Sequence, residues 1–383
     1  MKPLRVLHLA RVINRYDFID TVVRHLPRAR FEIEVATFEA EANIQSPEYE
    51  SINIPCHLLR VPSMRSYSAY LKAALRLVQL LRERQIDILH THHFWEGVVG
   101  ALAKKLYPKV RFILHRHYTE DVIRVGGWKT QILLRLEQFC YNQADALLVP
   151  TRTIRVCVER LHSSVRLPRI VEIPYGFEFE APKYQPASVE ERRKIREFYG
   201  VPEEMTLIAN IGTHRFQKGQ IELLDAFSKL QAEIPTVELW FIGEGPDTPA
   251  LKEKAQPLRE KVRFLGWQRG ETIRTLLAAV DMVAHPSYSE AFPQVMVETL
   301  AMERALLITE VSGAKELLEH QKTAWLIPYP DPEIIYEGLR RLTLSPELRL
   351  QMGSAGRRKI LSSLSYTQIN QLYEQLYTEL CSL

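Results

Sequence analysis

Short apolar runs alternate with amphipathic segments along most of the chain. This alternation predicts parallel strands covered by helices on both faces, because strands buried on two sides are continuously apolar while helices repeat every three to four residues. In the first half the predicted strands are Leu4–Leu9, Phe31–Thr37, Ile86–His90, Val110–His115, Ala146–Val149 and Ile170–Ile173. The predicted helices between them are Asp17–His25, Ala69–Arg84, Trp95–Lys105, Lys129–Gln143 and Thr153–Leu161.

Residues 174–186 interrupt this pattern, since they are rich in Pro, Gly and Tyr and show no clear period. We therefore predict a hinge there. A second alternation runs from Ser188 to Arg358, and an amphipathic segment follows at Thr367–Leu380. Because 383 residues exceed one ordinary core, the chain is predicted to form two α/β domains, residues 1–176 and residues 187–365.

Two glutamates, Glu290 and Glu298, follow a predicted strand that ends near Ser287. Phe292-Pro293 predicts a helix start between them, because proline is favoured at the first helical position. The free amides and partial positive charge of that start favour a bound phosphate, and a carboxylate accepts hydrogen bonds from sugar hydroxyls. The segment therefore suits a bound phosphate and sugar hydroxyls, whereas two glutamates taken at random would be solvated surface groups.

Further motifs carry a family resemblance. They are Ala209–Gly219, Leu239–Pro246, Val262–Gly266 and Val311–Glu316, in order along the chain. Together with Ser289–Leu300 they resemble the nucleotide-binding half of retaining glycosyltransferases of family 4. The resemblance implies the GT-B fold, in which two Rossmann-like domains face each other across a cleft. It also implies that a final helix, at about residues 366–383, crosses back to the first domain.

The resemblance implies transfer of a sugar from a nucleotide diphosphate sugar to a hydroxyl, with retention of the anomeric configuration. Glu298 would hold the ribose, and Glu290 with the amides of Ala291 and Phe292 would hold the donor sugar. His117 would touch that sugar from the opposite domain. The matching donor-nucleotide positions are Gly212, Gly243, Ala291, Phe292 and Pro293. A UDP- or GDP-sugar is the expected donor, and a glycan, a lipid-linked saccharide and a small molecule all remain open as acceptors.

Two cations, Arg215 and Lys218, follow Gly212 by three and six residues. A guanidinium binds phosphate through two hydrogen bonds and an ammonium adds a compact charge, so the pair is expected to stabilise a departing diphosphate. The alternative is two exposed cations at a helix start. The Asp-x-Asp pair with which many transferases hold a metal does not occur in the sequence. We therefore expect neither a metal nor a cofactor beyond the donor substrate.

Histidines follow two predicted strands of the first domain, at His90, His92, His93, His115 and His117. Neutral imidazole is a common zinc ligand. However, no acidic ligand stands beside these histidines at metallohydrolase spacing, so a metal site is the alternative interpretation and not the prediction. Between the first strand and helix, residues 10–17 contain no glycine, and Arg11 and Arg15 are candidate acceptor contacts in place of lost amides.

Charge is unevenly distributed, because residues 1–176 hold 26 Lys and Arg against 17 Asp and Glu. Such a domain attracts anionic lipid or an acidic glycan. Residues 65–84 could form an amphipathic helix that touches a membrane or one that packs on the sheet. Four scattered cysteines predict a reducing, cytoplasmic setting, with peripheral contact at the inner face of the membrane left open. No nucleic-acid-binding module is recognisable.

Two other functions remain as alternatives. A nucleotide-sugar epimerase could share the fold and use His117 and Glu290 as acid and base around the sugar ring. A nucleotide-binding module whose chemistry has lapsed could retain the same cleft. The joint presence of Glu290, Glu298, Lys218 and His117 favours an active transferase.

Overall fold

The structure is a computed structural model that describes residues 2–11, 17–38, 49, 51–61 and 67–382. The chain divides into two compact units. One comprises Met1–Phe177 and Leu364–Leu383, and the other comprises Glu178–Ser363. Each unit is an α/β structure built on its own sheet of parallel strands.

The first unit contains a sheet of seven strands in the described residues, in the order β3-β2-β1-β4-β5-β6-β7. Its strands are β1 (Leu4–Leu9), β2 (Phe31–Thr37), β3 (Cys56–Leu58), β4 (Ile88–His92), β5 (Arg111–His115), β6 (Ala146–Val149) and β7 (Arg169–Glu172). Its helices are α1 (Asp17–His25), α2 (Tyr67–Glu83), α3 (Phe94–Leu106), α4 (Gly127–Gln143), α5 (Arg152–Leu161) and α14 (Tyr366–Ser382).

The predicted strands of this unit are present, and β1, β2 and β6 have the predicted bounds. All pairings are parallel, with Val6 opposite Ile33 on one side and opposite Ile88 on the other. The sequence pattern missed β3, because this strand is only three residues long and is partly exposed at the edge of the sheet. A short, half-solvated edge strand lacks the apolar run that identifies a central strand.

The final helix, α14, belongs to the first unit, as the family resemblance implied. Leu376, Tyr377 and Leu380 are buried, and Arg30 pairs with Glu374 at 2.6 Å. Where the chain enters this helix, Phe177 and Leu364–Tyr366 exchange backbone hydrogen bonds of 2.9 and 3.0 Å. These contacts return the last segment of the chain to the unit that contains the first strand.

The second unit contains a sheet of six strands in the described residues, in the order β10-β9-β8-β11-β12-β13. Its strands are β8 (Thr206–Ile211), β9 (Val237–Ile242), β10 (Val262–Phe264), β11 (Met282–His285), β12 (Ala305–Thr309) and β13 (Trp325–Ile327). Its helices are α6 (Val189–Phe198), α7 (Gln220–Glu233), α8 (Thr248–Lys254), α9 (Glu271–Ala279), α10 (Gln294–Ala301), α11 (Ala314–Leu317), α12 (Pro332–Leu344) and α13 (Pro346–Leu364).

Local signals explain where several helices of the second unit begin. Ser188 caps α6 by accepting a hydrogen bond of 3.1 Å from the amide of Glu191, as short polar side chains do at helix starts.

The predicted start of α10 was wrong by one residue. Pro293 is the extended residue before the helix, and Gln294 is its first residue. Proline fits there because its fixed φ also suits extended backbone.

Helix α2 packs one face inward and leaves the other exposed. Leu77 and Leu81 are fully buried, whereas the side chains of Leu71 and Leu75 are 51% and 53% exposed. The inner face of this helix is therefore packed within the first unit. In the described part of the chain, no helix is both long enough and apolar enough to cross a membrane.

Candidate functional site

The family motifs of the second unit all lie where strands end. Gly212 follows β8, Gly243 follows β9, Gly266 follows β10 by one residue, and Glu290 follows β11. Because the strands are parallel, their carboxyl ends lie at the same edge of the sheet, which is where open α/β sheets bind ligands. The motifs, spread over a long stretch of sequence, therefore converge on one edge.

Glycines allow the loops at this edge to approach closely. The amide of Gly212 donates to Ile242 O at 3.0 Å, and the amide of Gly243 donates to Gly266 O at 2.8 Å. Gly243 has φ +141°, and a β-carbon there would lie 2.0 Å from Gly212 O. At Gly245 a β-carbon would lie 2.3 Å from a carbonyl oxygen of the neighbouring loop. No side chain fits between these two loops.

The loop after β8 is also attached to the loop after β11. The amide of Tyr288 donates to Gln217 O at 2.8 Å, and the Tyr288 ring stacks on Phe216 with ring centroids 4.9 Å apart. Gly219 has φ +65°, and a β-carbon there would lie 1.9 Å from Pro286 O. These contacts fix the backbone on both sides of Lys218.

Three donors converge on one oxygen of Glu290. Lys218 forms an ion pair with Oε1, His285 Nε2 lies 2.8 Å from the same atom, and Ser287 Oγ donates to it at 3.1 Å. The side chain of Glu290 is only 13% exposed. A nearly buried carboxylate needs such compensation, because removing a charge from water without partners is costly.

These donors make Glu290 strongly acidic. Burial alone raises the pKa of this carboxyl, but the hydrogen bond from His285 and the charges of His285 and Lys218 lower it to about 2. Its second oxygen, Oε2, forms no hydrogen bond with the described residues. At neutral pH the site therefore offers an ionised carboxylate with one oxygen available to a ligand, and a carboxylate in this state only accepts hydrogen bonds.

The segment Ala291–Pro293 packs against the loop after β12. Ser312 Oγ donates to Ala291 O at 2.9 Å. A β-carbon on Gly313, which has φ +84°, would lie 3.0 Å from the Phe292 ring. Alanine is tolerated at position 291, since this residue is not one of those with a positive φ. The Val311–Glu316 motif thus supports the backbone that precedes α10.

The predicted site residues of the second unit are only partly brought together. Lys218 pairs directly with Glu290, and Gly212 adjoins Gly243. Glu298 lies in the second turn of α10 and is partly buried. Arg215 is exposed and forms no ion pair with the described residues, although it stands at the start of the turn that carries Lys218.

In the first unit, His117 lies just after β5 and both of its ring nitrogens have partners. His117 Nε2 is 3.0 Å from His92 Nδ1, and Nδ1 is 2.6 Å from the hydroxyl of Tyr175. Burial, reinforced by neighbouring histidines, places the pKa of His117 well below its usual range. The ring is therefore neutral and held in a fixed orientation by two hydrogen bonds.

A buried charged network supports the loop that carries His117. Arg116 is fully buried, forms an ion pair with Glu137 and donates to the hydroxyl of Tyr141 at 2.7 Å. Tyr118 and His162 also bind the carboxylate of Glu137, at 2.8 and 2.7 Å. The buried carboxylate of Glu137 thus has several partners, as a charge removed from water requires, whereas Nη2 of Arg116 has no hydrogen-bond partner in the described residues.

The remaining predicted contacts are less defined. Arg11 is exposed at the end of β1, and its carbonyl accepts a hydrogen bond of 2.7 Å from Thr37. Arg15 lies outside the described residues. Sequence reasoning missed His285 and Ser287, although His285 is the last residue of β11 and ligands of parallel sheets bind where strands end. It also missed Tyr175, which nothing in the local sequence connects to His117.

Comparison with protein families identifies the class. Residues 191–359 match the family described as glycosyl transferases group 1. Residues 18–176 match the glycosyl transferase 4-like domain. The two matches cover most of both units, and the chain belongs to the group 1 glycosyltransferases with a family 4-like first domain.

Individual relatives and solved structures agree with this class. N-acetyl-alpha-D-glucosaminyl L-malate synthase of Bacillus anthracis is 24% identical over 320 residues, covering 82% of this chain and 81% of the relative. D-inositol 3-phosphate glycosyltransferase of Corynebacterium jeikeium is 27% identical over 308 residues, covering 76% and 72%. The crystal structure of Anabaena HepE in complex with UDP and glucose superposes with a TM-score of 0.82 and 19% identity, covering 98% of this chain and 100% of HepE. The fold is GT-B.

We expect the stability of the protein to depend on the ionisation of Glu290. A folded pKa of about 2 lies below the ordinary value of about 4.3, so this stabilisation is present above about pH 4.3 and is lost as pH falls toward 2. Between pH 6 and pH 3 the loss should be about 2 kcal/mol. The measurement is urea unfolding of the wild type and of Glu290→Gln at both pH values. The difference between their free energies of unfolding should fall by this amount from pH 6 to pH 3.

The exposed pair Glu319–Lys322 gives a matched control, since a solvated ion pair contributes little. Glu319→Gln should change the free energy of unfolding far less than Glu290→Gln does. If the free energies of unfolding of wild type and Glu290→Gln differ by the same amount at pH 6 and pH 3, the assigned ionisation is contradicted.

Proposed function

We propose that this glycosyltransferase moves a sugar from a nucleotide diphosphate sugar to an acceptor hydroxyl, retains the anomeric configuration and needs no metal ion at the diphosphate. The observation that carries the proposal is the Lys218–Glu290 pair at the carboxyl edge of the second sheet. This pair supports the proposal because a cation suited to phosphates stands beside an ionised carboxylate suited to sugar hydroxyls.

Lys218 is the proposed diphosphate contact. Its ammonium has three donors, and Glu290 uses one of them, so the others can bind phosphate oxygens. Negative charge that develops on the leaving diphosphate would then be stabilised by a cation that is already in place. Arg215, exposed at the start of the same turn, is the proposed second cation, and Gly212 and Gly243 line the approach of the nucleotide.

Glu290 is proposed to hold the donor sugar. With a pKa of about 2 it is neither a proton donor at neutral pH nor an effective general base. Its available oxygen, Oε2, suits a sugar hydroxyl, and the amides of Ala291 and Phe292 would add donors. Glu298, one helical turn beyond the start of α10, is the proposed ribose contact, with Pro293 setting the course of the chain into that helix.

His117 is the proposed sugar contact of the first unit. The neutral ring can donate or accept a hydrogen bond, but both of its nitrogens are engaged, by His92 and Tyr175. A hydrogen bond to the donor sugar would therefore replace one of these two bonds. Arg11 and Arg15 remain the proposed acceptor contacts.

The proposed donor is a UDP-sugar first and a GDP-sugar second, and no other cofactor is proposed. HepE has been crystallised in complex with UDP and glucose, which favours uridine. A glycan, a lipid-linked saccharide or a small molecule is the proposed acceptor, since the name of one relative specifies malate and that of another specifies inositol phosphate.

The epimerase alternative is not favoured. It would require Glu290 to exchange protons with the sugar ring, and the three donors to its Oε1 oppose protonation. The relatives described above are named as a synthase and a transferase. A lapsed binding module is not favoured either, because the charged groups are still paired in one compact arrangement.

Contact with an anionic membrane is a separate proposal. Leu71 and Leu75 are exposed on α2, and Lys72 and Arg76 lie on the same exposed side. Apolar side chains among cations suit the surface of an anionic bilayer, where burial of the apolar groups and charge attraction act together.

The donor site is tested by calorimetric titration of the protein with UDP, GDP and ADP. Lys218→Ala and Glu298→Ala should each weaken binding of the preferred nucleotide at least tenfold, because each removes a contact to the phosphates or the ribose. Lys322→Ala, an exposed lysine of the same unit, should bind like the wild type. Equal nucleotide affinity of the wild type and all three variants would contradict the site assignment.

The stereochemical outcome and the metal independence are tested together. With a UDP-α-sugar donor, the anomeric proton coupling of the product, measured by NMR, should show the α configuration. Turnover should be unchanged after treatment with EDTA, because Lys218 takes the place of a metal at the diphosphate. A β product would contradict retention, and activity restored only by added Mg²⁺ or Mn²⁺ would contradict metal independence.

Membrane contact is tested by cosedimentation with vesicles. The protein should bind vesicles that contain phosphatidylglycerol and not vesicles of phosphatidylcholine alone. The double variant Leu71→Ser/Leu75→Ser should bind several-fold more weakly, whereas Leu350→Ser, an exposed leucine of the second unit, should not. Identical sedimentation of both variants would remove α2 as the contact.

A further inference from the structure

A cluster of buried histidines lies at the carboxyl edge of the first sheet. His8 comes from β1, His90 and His92 from β4, and His115 and His117 from β5 and the residues just after it. Each is at most 9% exposed. In the sequence, the other four histidines lie at the ends of two predicted strands. The fold adds His8 from β1, which lies between β2 and β4 in the sheet.

Three members of this cluster have their outward ring nitrogens occupied. The hydroxyl of Tyr377 on α14 lies 2.7 Å from His90 Nδ1 and 3.3 Å from His8 Nε2. His92 Nδ1 lies 3.0 Å from His117 Nε2. Each of these three imidazoles therefore has a partner that can accept a hydrogen bond from its outward nitrogen.

Of the other nitrogens of the same three rings, two are paired with each other and one has no partner. His8 Nδ1 and His92 Nε2 are 3.0 Å apart, a distance that one shared hydrogen accounts for. His90 Nε2 is buried and has no hydrogen-bond partner in the described residues. A buried polar atom without a partner destabilises the folded state, and a bound metal ion would supply the missing partner.

We propose that His8, His90 and His92 bind a divalent transition-metal ion through His8 Nδ1, His90 Nε2 and His92 Nε2. One ring nitrogen from each of the three residues lies within 4.8 Å of the others. In a tetrahedral zinc site with bonds of about 2.0–2.1 Å, ligand nitrogens are roughly 3.3 Å apart. The nitrogens of His8 and His92, 3.0 Å apart, are already close to this separation, and the ring of His90, stacked on His92, would have to turn to bring its nitrogen to the metal.

The outward hydrogen bonds support this assignment. Ligating histidines usually donate their second N–H to a neighbouring acceptor, which fixes the tautomer and orients the ring. With a metal bound, Tyr377 would accept from His8 and His90, and His117 would accept from His92, so that all three inward lone pairs would face the metal. Three neutral imidazoles without carboxylate or thiolate suit Zn²⁺, Co²⁺, Ni²⁺ or Cu²⁺ and not Mg²⁺ or Ca²⁺.

Such an ion would have a structural role. It would join β1 to β4 directly, and to α14 through Tyr377, in the unit that α14 completes. It would also fix the ring of His92, which contacts His117. This site is separate from the proposal that no metal binds the donor diphosphate, because its ligands come from the first sheet and not from the loops of the second.

The test uses the full-length protein without a histidine tag, stripped with a chelator and titrated with Co²⁺. We expect one equivalent to produce the visible absorption of tetrahedral Co²⁺, which one equivalent of Zn²⁺ abolishes. His90→Gln should lose this absorption. Tyr377→Phe, which keeps all three ligands, should weaken Co²⁺ affinity about 10–100-fold, and His320→Gln, an exposed histidine of the second unit, should behave as the wild type.

Folding is checked separately by thermal unfolding. Zn²⁺ should raise the melting temperature of the wild type and of His320→Gln, and it should leave His90→Gln unchanged. Absence of stoichiometric Co²⁺ absorption in the wild type would overturn the proposal. Absorption retained in His90→Gln and lost in His115→Gln would also overturn it, since the second possible group is His92, His115 and His117.

Discussion

The loops after β8 and β9 lie backbone against backbone, and only glycine permits that approach. A β-carbon at Gly243 would lie 2.0 Å from Gly212 O, and one at Gly219 would lie 1.9 Å from Pro286 O. The first contact joins two neighbouring strand ends, and the second joins the loop after β8 to the loop after β11. The second contact positions Lys218 relative to Glu290, because these residues stand on the two loops that it joins, and the first contact holds the loop of Lys218 against its neighbour.

The arrangement of these loops determines the chemical state of Glu290. Lys218, His285 and Ser287 all bind Oε1, which leaves a carboxylate that stays ionised and has a second oxygen available. A carboxylate with this environment is suited to accepting hydrogen bonds and not to exchanging protons. The same reasoning separates the proposed transfer from the epimerase, since both would use Glu290 but only an epimerase needs an acid or base at that position.

The first unit buries several imidazoles at the carboxyl edge of its sheet. Burial lowers the pKa of His8 to about 3 and places the pKa values of His90, His92 and His117 well below their usual range. The rings can therefore pack without mutual repulsion. Hydrogen bonds through His8, His92 and His117 link Tyr377 to Tyr175.

Local regularities in the sequence determined the parallel strands, most helices, the glycine turns, the glutamate pair and the family. Strands and helices leave a period in the chain, and glycine motifs keep their spacing, so both are readable without a fold. The short edge strand β3 and the one-residue shift at Pro293 escaped because their signals are weak. Only the tertiary structure decided that Lys218 pairs with Glu290, that His285 and Ser287 join them, and that His8 and Tyr377 meet His90. These partners are separated by up to 369 residues, and no local period records which strand ends a parallel sheet will bring to the same edge.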